Sequence, residues 1–388
     1  MKKKKQIAPL AFGFYFWPVI GLLIAGLADT IYLSFSHYKL YTDIGYQSFC
    51  AITRAVNCDT VSLSEYAILA GVPLAVWGVL GYGSLLTLAM LGYPGQDKPI
   101  RLWGLIFVIS VLFCMHSIFL AFVSNYYIRS YCIMCILSYV VNFIVCFYAY
   151  IIVKRFYGYG VIRTLKKDIL FILGTPYRSI GFILIIVLIS GSLITFFPQY
   201  WKFEAKESKS YLARGVTEEG YPWIGAVQPE VEIYMFSDYQ CFQCKKMHFF
   251  LRNLLDEYPD KFRLIHLNFP MDHEVNPVVR ESFHVGSGAL ALMAKYAASQ
   301  GKFWEMNDYL FYLDKKGKVD IEKTADHVGL DPDKLAASIR DRALLLSLKQ
   351  EIEKGLKLSI TATPSYLVNG TVYVSTLPRE VLNSVMEE

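Results

Sequence analysis

The chain has 388 residues, 54% of them hydrophobic and 18% charged, with a net charge of only +5. That length allows two domains, and the apolar excess lies before residue 198, which divides the chain into a membrane part and a soluble part. The basic residues flank apolar stretches and form no stripe interleaved with aromatics, so nothing points to nucleic acid.

Five apolar segments are candidates to cross the roughly 30 Å hydrocarbon layer, which takes about 20 helical residues. They are residues 10–36, 66–91, 102–123, 132–153 and the shorter 180–197. Lys2 to Lys5, Lys98, Arg101, Lys154, Arg155, Arg163, Lys166, Lys167 and Arg178 fall on one side of these spans. Lys39, Arg54 and Arg129 fall on the other. The Lys/Arg bias places the N-terminus in the cytoplasm and everything after Phe197 outside. The first apolar run is longer than a secretory h-region of about 7–15 residues and ends in no small-x-small cleavage site, so it is expected to stay as a spanning helix. The basic segment between the fourth and fifth spans suggests no function.

Eight cysteines punctuate the chain. Cys114 and Cys146 stand alone in apolar runs and are expected to be small packing residues. The other six form the close pairs Cys50/Cys58, Cys132/Cys135 and Cys241/Cys244, and this topology puts all three pairs outside, where disulfides persist. His116 and Asp29 are polar groups in or near spans. Such groups are costly to bury and raise the question of a proton relay, although a satisfied structural role is the simpler expectation.

Residues 200–225, rich in Lys, Glu, Ser and Gly, suggest a linker. Beyond them, residues 231–237 (VEIYMFS) and 261–268 have strand character. A helical pattern runs from Cys241 through Lys245, Met247, Phe250 and Leu254, and residues 277–358 are mostly helical. Residues 365–375 suggest a hairpin turning at Asn369-Gly370.

Cys241-Phe242-Gln243-Cys244 thus follows a strand and opens a helix. Unpaired amides and the positive end of the helix dipole stabilise a thiolate there, and the two-residue gap lets the second thiol close a disulfide. A zinc site would need two further ligands, and no second CxxC or HxxxH lies in this part. The run from Phe236 to Cys244 and the run Thr361-Ala362-Thr363-Pro364-Ser365-Tyr366 resemble the thioredoxin superfamily in its DsbA-like branch, over residues 226–386. The resemblance implies an inserted helical subdomain and a cis Pro364 facing the cysteines. Phe242 and Gln243 replace the Pro or His common between the cysteines, so the redox poise stays open. Asp238 is either a buried acid assisting proton transfer or an ordinary polar residue at a strand end.

Cys132-Ile133-Met134-Cys135 sits where the fourth span enters the membrane, within reach of a lipid-soluble oxidant. Cys50 and Cys58 lie in a polar loop, and a pair on a mobile loop can carry electrons to a fixed pair by exchange; a static disulfide is the alternative. The loop pair, Ser64-Glu65-Tyr66-Ala67, Gly71-Val72-Pro73-Leu74-Ala75, Gly78, Gly81-Tyr82 and Tyr131 to Cys135 resemble the vitamin K epoxide reductase family in its bacterial form fused to a thioredoxin-like domain. DsbB-like proteins differ, since they place a CxxC in the first outer loop.

The combined resemblance implies a multi-domain membrane protein. An all-α four-helix transmembrane bundle (residues 1–155) is followed by a cytoplasmic loop, fifth helix and linker (156–225). An extracytoplasmic α/β thioredoxin-like domain with a helical insertion (226–388) completes it. It implies that Cys135 is the quinone-adjacent thiol with Cys132 as its exchange partner. Cys58 would relay to Cys132, Cys50 would receive electrons from the soluble domain, and Ser64 and Tyr139 would lie near the quinone. The expected activity is oxidation of reduced periplasmic client proteins with ubiquinone or menaquinone as acceptor, at the bacterial inner membrane. Reduction of vitamin K epoxide, or disulfide isomerisation or reduction, are the alternatives.

Overall fold

The computed structural model describes residues 10–52, 55–94, 100–157, 160–174, 176–202, 212–280, 283–313 and 319–386. Lys2 to Lys5, Arg54 and Lys98, which contribute to the orientation argument, and residues 203–211 of the expected linker lie outside the described residues. The chain divides into two compact units, Met1–Tyr200 and Trp201–Glu388.

In the first unit, α1 (Gly13–Thr42) and a short α2 (Cys58–Ser62) are followed by a 3-10 turn (Glu65–Ala67). Next come a two-stranded ribbon, β1 (Ile68–Leu69) with β2 (Val72–Pro73), and then α3 (Leu74–Leu91), α4 (Trp103–Val123) and α5 (Ile133–Phe156). Helices α1, α3, α4 with its following π turn, and α5 are long and apolar enough to cross a membrane. Their shared core joins Phe16, Val19 and Leu23 of α1 to Tyr82 and Leu85 of α3, Ile106 of α4 and Val145 of α5. Helices α1 and α3 approach closely because small residues face bulky ones. A Cβ on Gly26 would sit 2.5 Å from the Tyr82 ring, and one on Gly78 2.6 Å from the Thr30 methyl group. Small residues at such crossings are what membrane helices use to pack.

The second span is shorter than residues 66–91. Residues 66–73 instead form the 3-10 turn and ribbon, reversed by Ala70 and Gly71 at φ 52° and 74°. The helix starts only after Pro73, which has no N–H to give to a preceding turn.

The segment before the fifth span, for which the sequence suggested no role, contains α6 (Val161–Leu173). Its buried Asp168 accepts hydrogen bonds from the α4 amides of Leu102 (3.0 Å), Gly104 (2.8 Å) and Leu105 (3.3 Å). These are orphan donors at a helix start, whose first N–H groups have no partner within the helix. Asp168→Ala is expected to cost about 0.5–2 kcal/mol, the range for a lost N-terminal cap. Thermal unfolding in detergent checks this, and an unchanged midpoint would refute it. Helix α7 (Pro176–Phe196) covers the expected fifth span, with an apolar run at Val187–Phe196.

The second unit is built on a six-stranded sheet of order β3-β4-β6-β5-β7-β8. Strands β3 (Arg214–Val216) and β4 (Pro222–Gly225) fall inside the expected linker, so the sheet begins earlier than the composition suggested. Pro222, Gly215 and Gly225 hide the strand pattern, but Thr217 and Gly220 close a turn (Gly220 N to Thr217 O, 2.9 Å) and Trp223 pairs with Ile265 of the sheet. Strand β5 (Val231–Ser237) leads into α8 (Phe242–Glu257) and back to β6 (Phe262–Asn268), parallel to β5.

The helical insertion comprises α9 (Ser287–Ser299), α10 (Phe303–Tyr312), α11 (Ile321–Val328), α12 (Pro332–Ser338) and α13 (Arg342–Lys357). It starts ten residues later than expected, because residues 277–286 are loop where described. Strands β7 (Ser365–Val368) and β8 (Thr371–Val374) form the expected hairpin, and α14 (Arg379–Met386) follows. Its turn residues Asn369 and Gly370 both have positive φ, 49° and 79°, as a two-residue hairpin turn of this hand requires. The core of this unit holds Phe236, Leu267 and Phe269 of the sheet side against Leu348 and Ile352 of α13.

Candidate functional site

In the membrane unit, Cys50 and Cys58 are joined in a disulfide with Cα atoms 5.6 Å apart. Asn57 caps α2, its side-chain oxygen accepting from Thr60 N (3.0 Å), and so sets Cys58 as the first residue of that helix. The loop is fastened to the segment before α5: Asn57 N donates to Tyr131 O (2.9 Å) and Tyr131 N to Ala55 O (2.8 Å). Both sulfur-bearing residues are consequently buried, Cys50 to 0% exposure, where the sequence suggested a free loop. Cys50, Cys58 and Cys132 form one buried cluster, with Met134 and Cys135 packed against it. Cys132 caps α5, its sulfur accepting from Cys135 N at 3.2 Å.

Cys58, Cys132 and Cys135 all reach the wall of a cavity of about 400 Å³ inside this unit. Ser64, Tyr139 and His116 line it too, among apolar residues that include Leu112, Phe113 and Leu120. The Ser64 hydroxyl donates to Val61 O (2.7 Å), within its own turn.

The sequence reading passed over Ser138 and Asn142 and took Tyr82 only as part of a motif; all three also face the cavity. Tyr82 OH donates to Asn142 Oδ1 (2.7 Å), and Asn142 Nδ2 donates to Ser117 Oγ (3.0 Å). Spacing from Cys135 was the available signal, since residues three, four and seven further on share its helix face. Asp29 accepts a hydrogen bond from Ser138. The thiols of Cys114 and Cys146 meet between α4 and α5, and neither lines the cavity.

In the sheet unit, β5 delivers Cys241 to the N-cap of α8, where its sulfur accepts from Cys244 N (3.4 Å). The same thiol donates to Thr363 O (3.4 Å), in the loop whose Thr363–Pro364 bond is cis. Asp238 is completely buried, and its backbone N–H donates to Cys244 Sγ (3.5 Å). Its carboxylate accepts from Gln240 N (2.6 Å), Met271 N (2.5 Å) and Ser287 Oγ (3.0 Å), and pairs with His284 Nδ1 at 3.0 Å. Asp238 is therefore a buried, fully bonded acid at the cysteine site.

Burial pushes the Asp238 carboxyl up, but His284 and the amides of Met271 and Gln240 outweigh it and hold the group below the usual range. The Cys244 thiol, donating to Cys241, holds the Cys241 thiol down at about 6 against its burial, and the His284 charge adds to this. Burial and the Cys241 thiolate push Cys244 well up. Cys241 thus favours its thiolate near neutral pH, whereas Cys244 stays protonated there.

His284 carried no local signal in the sequence, since it reaches the site from the loop before α9. Removing it by His284→Ala is expected to move the alkylation midpoint of reduced Cys241 to higher pH and slow the reaction several-fold at pH 6. Iodoacetamide labelling against pH measures this, with Cys244, Asp238 and His284 as the titratable groups facing the thiolate. The low pKa also fixes a stability sign. The stabilisation from the thiolate is fully present above the unfolded thiol's value near 8.5 and is lost as pH falls through about 6.

Residues 17–150 match the model of the vitamin K epoxide reductase family, and residues 217–388 match that of thioredoxin. The chain therefore carries a vitamin K epoxide reductase family segment followed by a thioredoxin segment. Among curated proteins it is 27% identical over 147 residues to Na(+)/H(+) antiporter NhaA 3 of Salinispora tropica, covering 38% of this chain and 21% of that protein. It is 24% identical over 165 residues to Na(+)/H(+) antiporter NhaA 1 of Salinispora arenicola, covering 42% of this chain and 24% of that protein. The chain thus spans less than a quarter of the length of either relative.

Solved structures with similarity include BdbD from Bacillus subtilis, 18% identical with TM-score 0.37, covering 45% of this chain and 97% of that one. Another is a thioredoxin-like oxidoreductase from Silicibacter pomeroyi, 22% identical with TM-score 0.36, covering 44% of this chain and 92% of that one.

Proposed function

We propose that this fusion of a vitamin K epoxide reductase family segment with a thioredoxin segment is a quinone-dependent thiol–disulfide oxidoreductase. It oxidises client thiols outside the bacterial inner membrane and passes the electrons to a membrane quinone. The observation that carries this reading is the meeting of Cys58, Cys132 and Cys135 at the wall of one largely apolar cavity within the helical unit. Cavities of this kind, apolar with a few placed polar groups, are what small hydrophobic ligands occupy. Tyr139, Asn142 and His116 are the side chains available to hold the carbonyl oxygens of a quinone ring, with Ser64 at the cavity edge.

Each transfer in the route is an exchange of thiolate for disulfide. A client thiolate attacks the Cys241–Cys244 disulfide and leaves oxidised. The reduced Cys241 then attacks Cys50, freeing Cys58, and Cys244 closes on Cys241 to release Cys50. Cys58 attacks the Cys132–Cys135 disulfide at Cys132, and Cys50 closes on Cys58 to release Cys132. Closing that last disulfide again delivers two electrons, with two protons, to the quinone as quinol. Residues 1–155 supply the quinone-reactive bundle, and the thioredoxin part lies on the outer side, with the N-terminus cytoplasmic. Strands β3 and β4 belong with the thioredoxin part, which moves its start from residue 226 back to about residue 212.

Quinone reduction by the purified full chain, supplied with a reduced unfolded protein, tests the proposal. Quinol and client disulfides are expected in equal amounts, and client oxidation with no quinol formed would overturn it.

A further inference from the structure

We infer that Asp29, acting through Ser138, relays a proton between the Cys132/Cys135 thiols and the electron acceptor in the cavity, an inference that rests on the quinone reading above. Asp29 lies in α1 and is 4% exposed. A carboxyl inside a spanning helix is costly unless it is paired or used. Its Oδ2 accepts from the Ser138 hydroxyl, but its buried Oδ1 has no hydrogen-bond partner among the described residues. Buried polar atoms in native proteins are nearly all bonded, so a half-satisfied acid calls for a role beyond holding two helices together.

Position supplies that role. Ser138 follows Cys135 by one helical turn and lines the same cavity. A hydroxyl both donates and accepts, so it can pass a proton without carrying charge. Tyr82 fixes the α5 backbone beside it, donating to Ser138 O at 3.3 Å and to Asn142 Oδ1 at 2.7 Å. The titratable groups acting on or acted on by Asp29 are the Cys132 and Cys135 thiols of α5 and the Tyr82 phenol of α3. His37 of α1, His116 of α4, Tyr139 of α5 and Tyr66 complete the titratable lining of the cavity.

The step balances as follows. Cys132 and Cys135 lose two electrons and two protons as their S–S bond forms, and the quinone gains both as quinol. Ser138 gives its proton to the nearer carbonyl oxygen and regains one from Asp29. Asp29 regains it from the thiol, so both residues end unchanged. The second thiol proton is released to solvent and matched by one taken up at the other carbonyl oxygen. Asp29 is a positioning and proton-holding residue here, since Ser138 stands between it and the cavity.

The test uses the full chain in lipid nanodiscs, as wild type, Asp29→Asn, Asp29→Glu and Ser138→Ala. Ubiquinone consumption is followed against pH. Infrared carboxyl absorption is followed separately, without quinone, as the thiols are oxidised with diamide. Asp29→Asn is expected to lower kcat by about 100-fold or more, as loss of a proton-transfer group does. It should also erase the alkaline limb of the pH profile, where Asp29 loses the proton it passes on, and the redox-linked carboxyl band expected in wild type. Asp29→Glu should restore rate, limb and band, and Ser138→Ala should lower kcat while keeping the band.

A wild-type rate and pH profile in Asp29→Asn would overturn the relay. So would a slowed variant with an unchanged profile and no carboxyl band in wild type, which is the signature of a purely structural acid. Failure of the wild type itself to reduce ubiquinone would instead overturn the quinone reading, and the presence or absence of the carboxyl band would then decide the relay alone.

Discussion

Cys135→Ala is expected to abolish quinone reduction by the full chain while leaving exchange between Cys241/Cys244 and client thiols unchanged. Cys135 begins the face of α5 that lines the cavity, ahead of Ser138, Tyr139 and Asn142, and lies one turn inside Cys132 at the N-cap. In the proposed route it is the last sulfur before the acceptor, and no other described thiol takes its place at that depth. Cys114 of α4 and Cys146, further along α5 itself, lie outside the lining. The variant cannot close the Cys132–Cys135 disulfide, so each molecule should oxidise at most its stored client equivalents and then stop. Stopped-flow quinone absorbance and client thiol counting on one preparation give both halves of the result. Retained quinone turnover would remove Cys135 from the proposed route. Loss of client exchange as well would point to misfolding, which Cys135→Ser with its smaller change in shape would separate from a chemical effect.

What the sequence made legible was local. A run of β-branched and aromatic residues marked β5, and Asn369-Gly370 marked the hairpin turn because few residues accept positive φ in succession. Cys241 and Cys244 were readable as a helix-capping pair because strand, turn and helix signals adjoin them. Apolar length marked the spans.

What stayed hidden was nearly always a partnership across long separation. Asp168 looks like one acid in a basic amphipathic helix until α4 is placed beside it, 64 residues away at Gly104. His284 and Asp238 are 46 residues apart, and nothing in the intervening pattern links them. Residues 66–73 were misread for a different reason. They are apolar enough for a helix, and only the backbone demands of Ala70-Gly71 and Pro73 turn them into a ribbon. Apolar content alone does not separate helix from short strand. Strands β3 and β4 were missed because Gly and Pro interrupt their short runs, and pairing of β3 to β4 and of β4 to β6, rather than propensity, holds them.

Burial of the loop disulfide shapes the second large effect, a trapped intermediate. Cys244→Ser is expected to accumulate a mixed disulfide between Cys241 and Cys50 in the full chain, as the lone Cys241 thiolate attacks the Cys50–Cys58 disulfide. In the proposed route Cys244 is the resolving thiol of its pair. Its burial and the neighbouring Cys241 thiolate keep it protonated and unreactive until Cys241 is engaged, and serine cannot take its place in the exchange. Any bond that Cys241 forms then has no exit within its own helix.

Cys50 is fully buried with its loop fastened to Tyr131. Attack therefore requires the Ala55–Tyr131 and Asn57–Tyr131 hydrogen bonds to open, which makes the loop a gate on the proposed route. The adduct should form slowly and persist. Loosening the loop with Asn57→Ala, which keeps those backbone bonds but removes the side-chain cap on α2 beside them, should speed its formation without changing the residue captured. Non-reducing gels followed by peptide mapping of the crosslink decide the matter. A bond mapped to Cys132 would mean that electrons bypass the loop pair, and Cys50–Cys58 would then be a static disulfide beside the cavity.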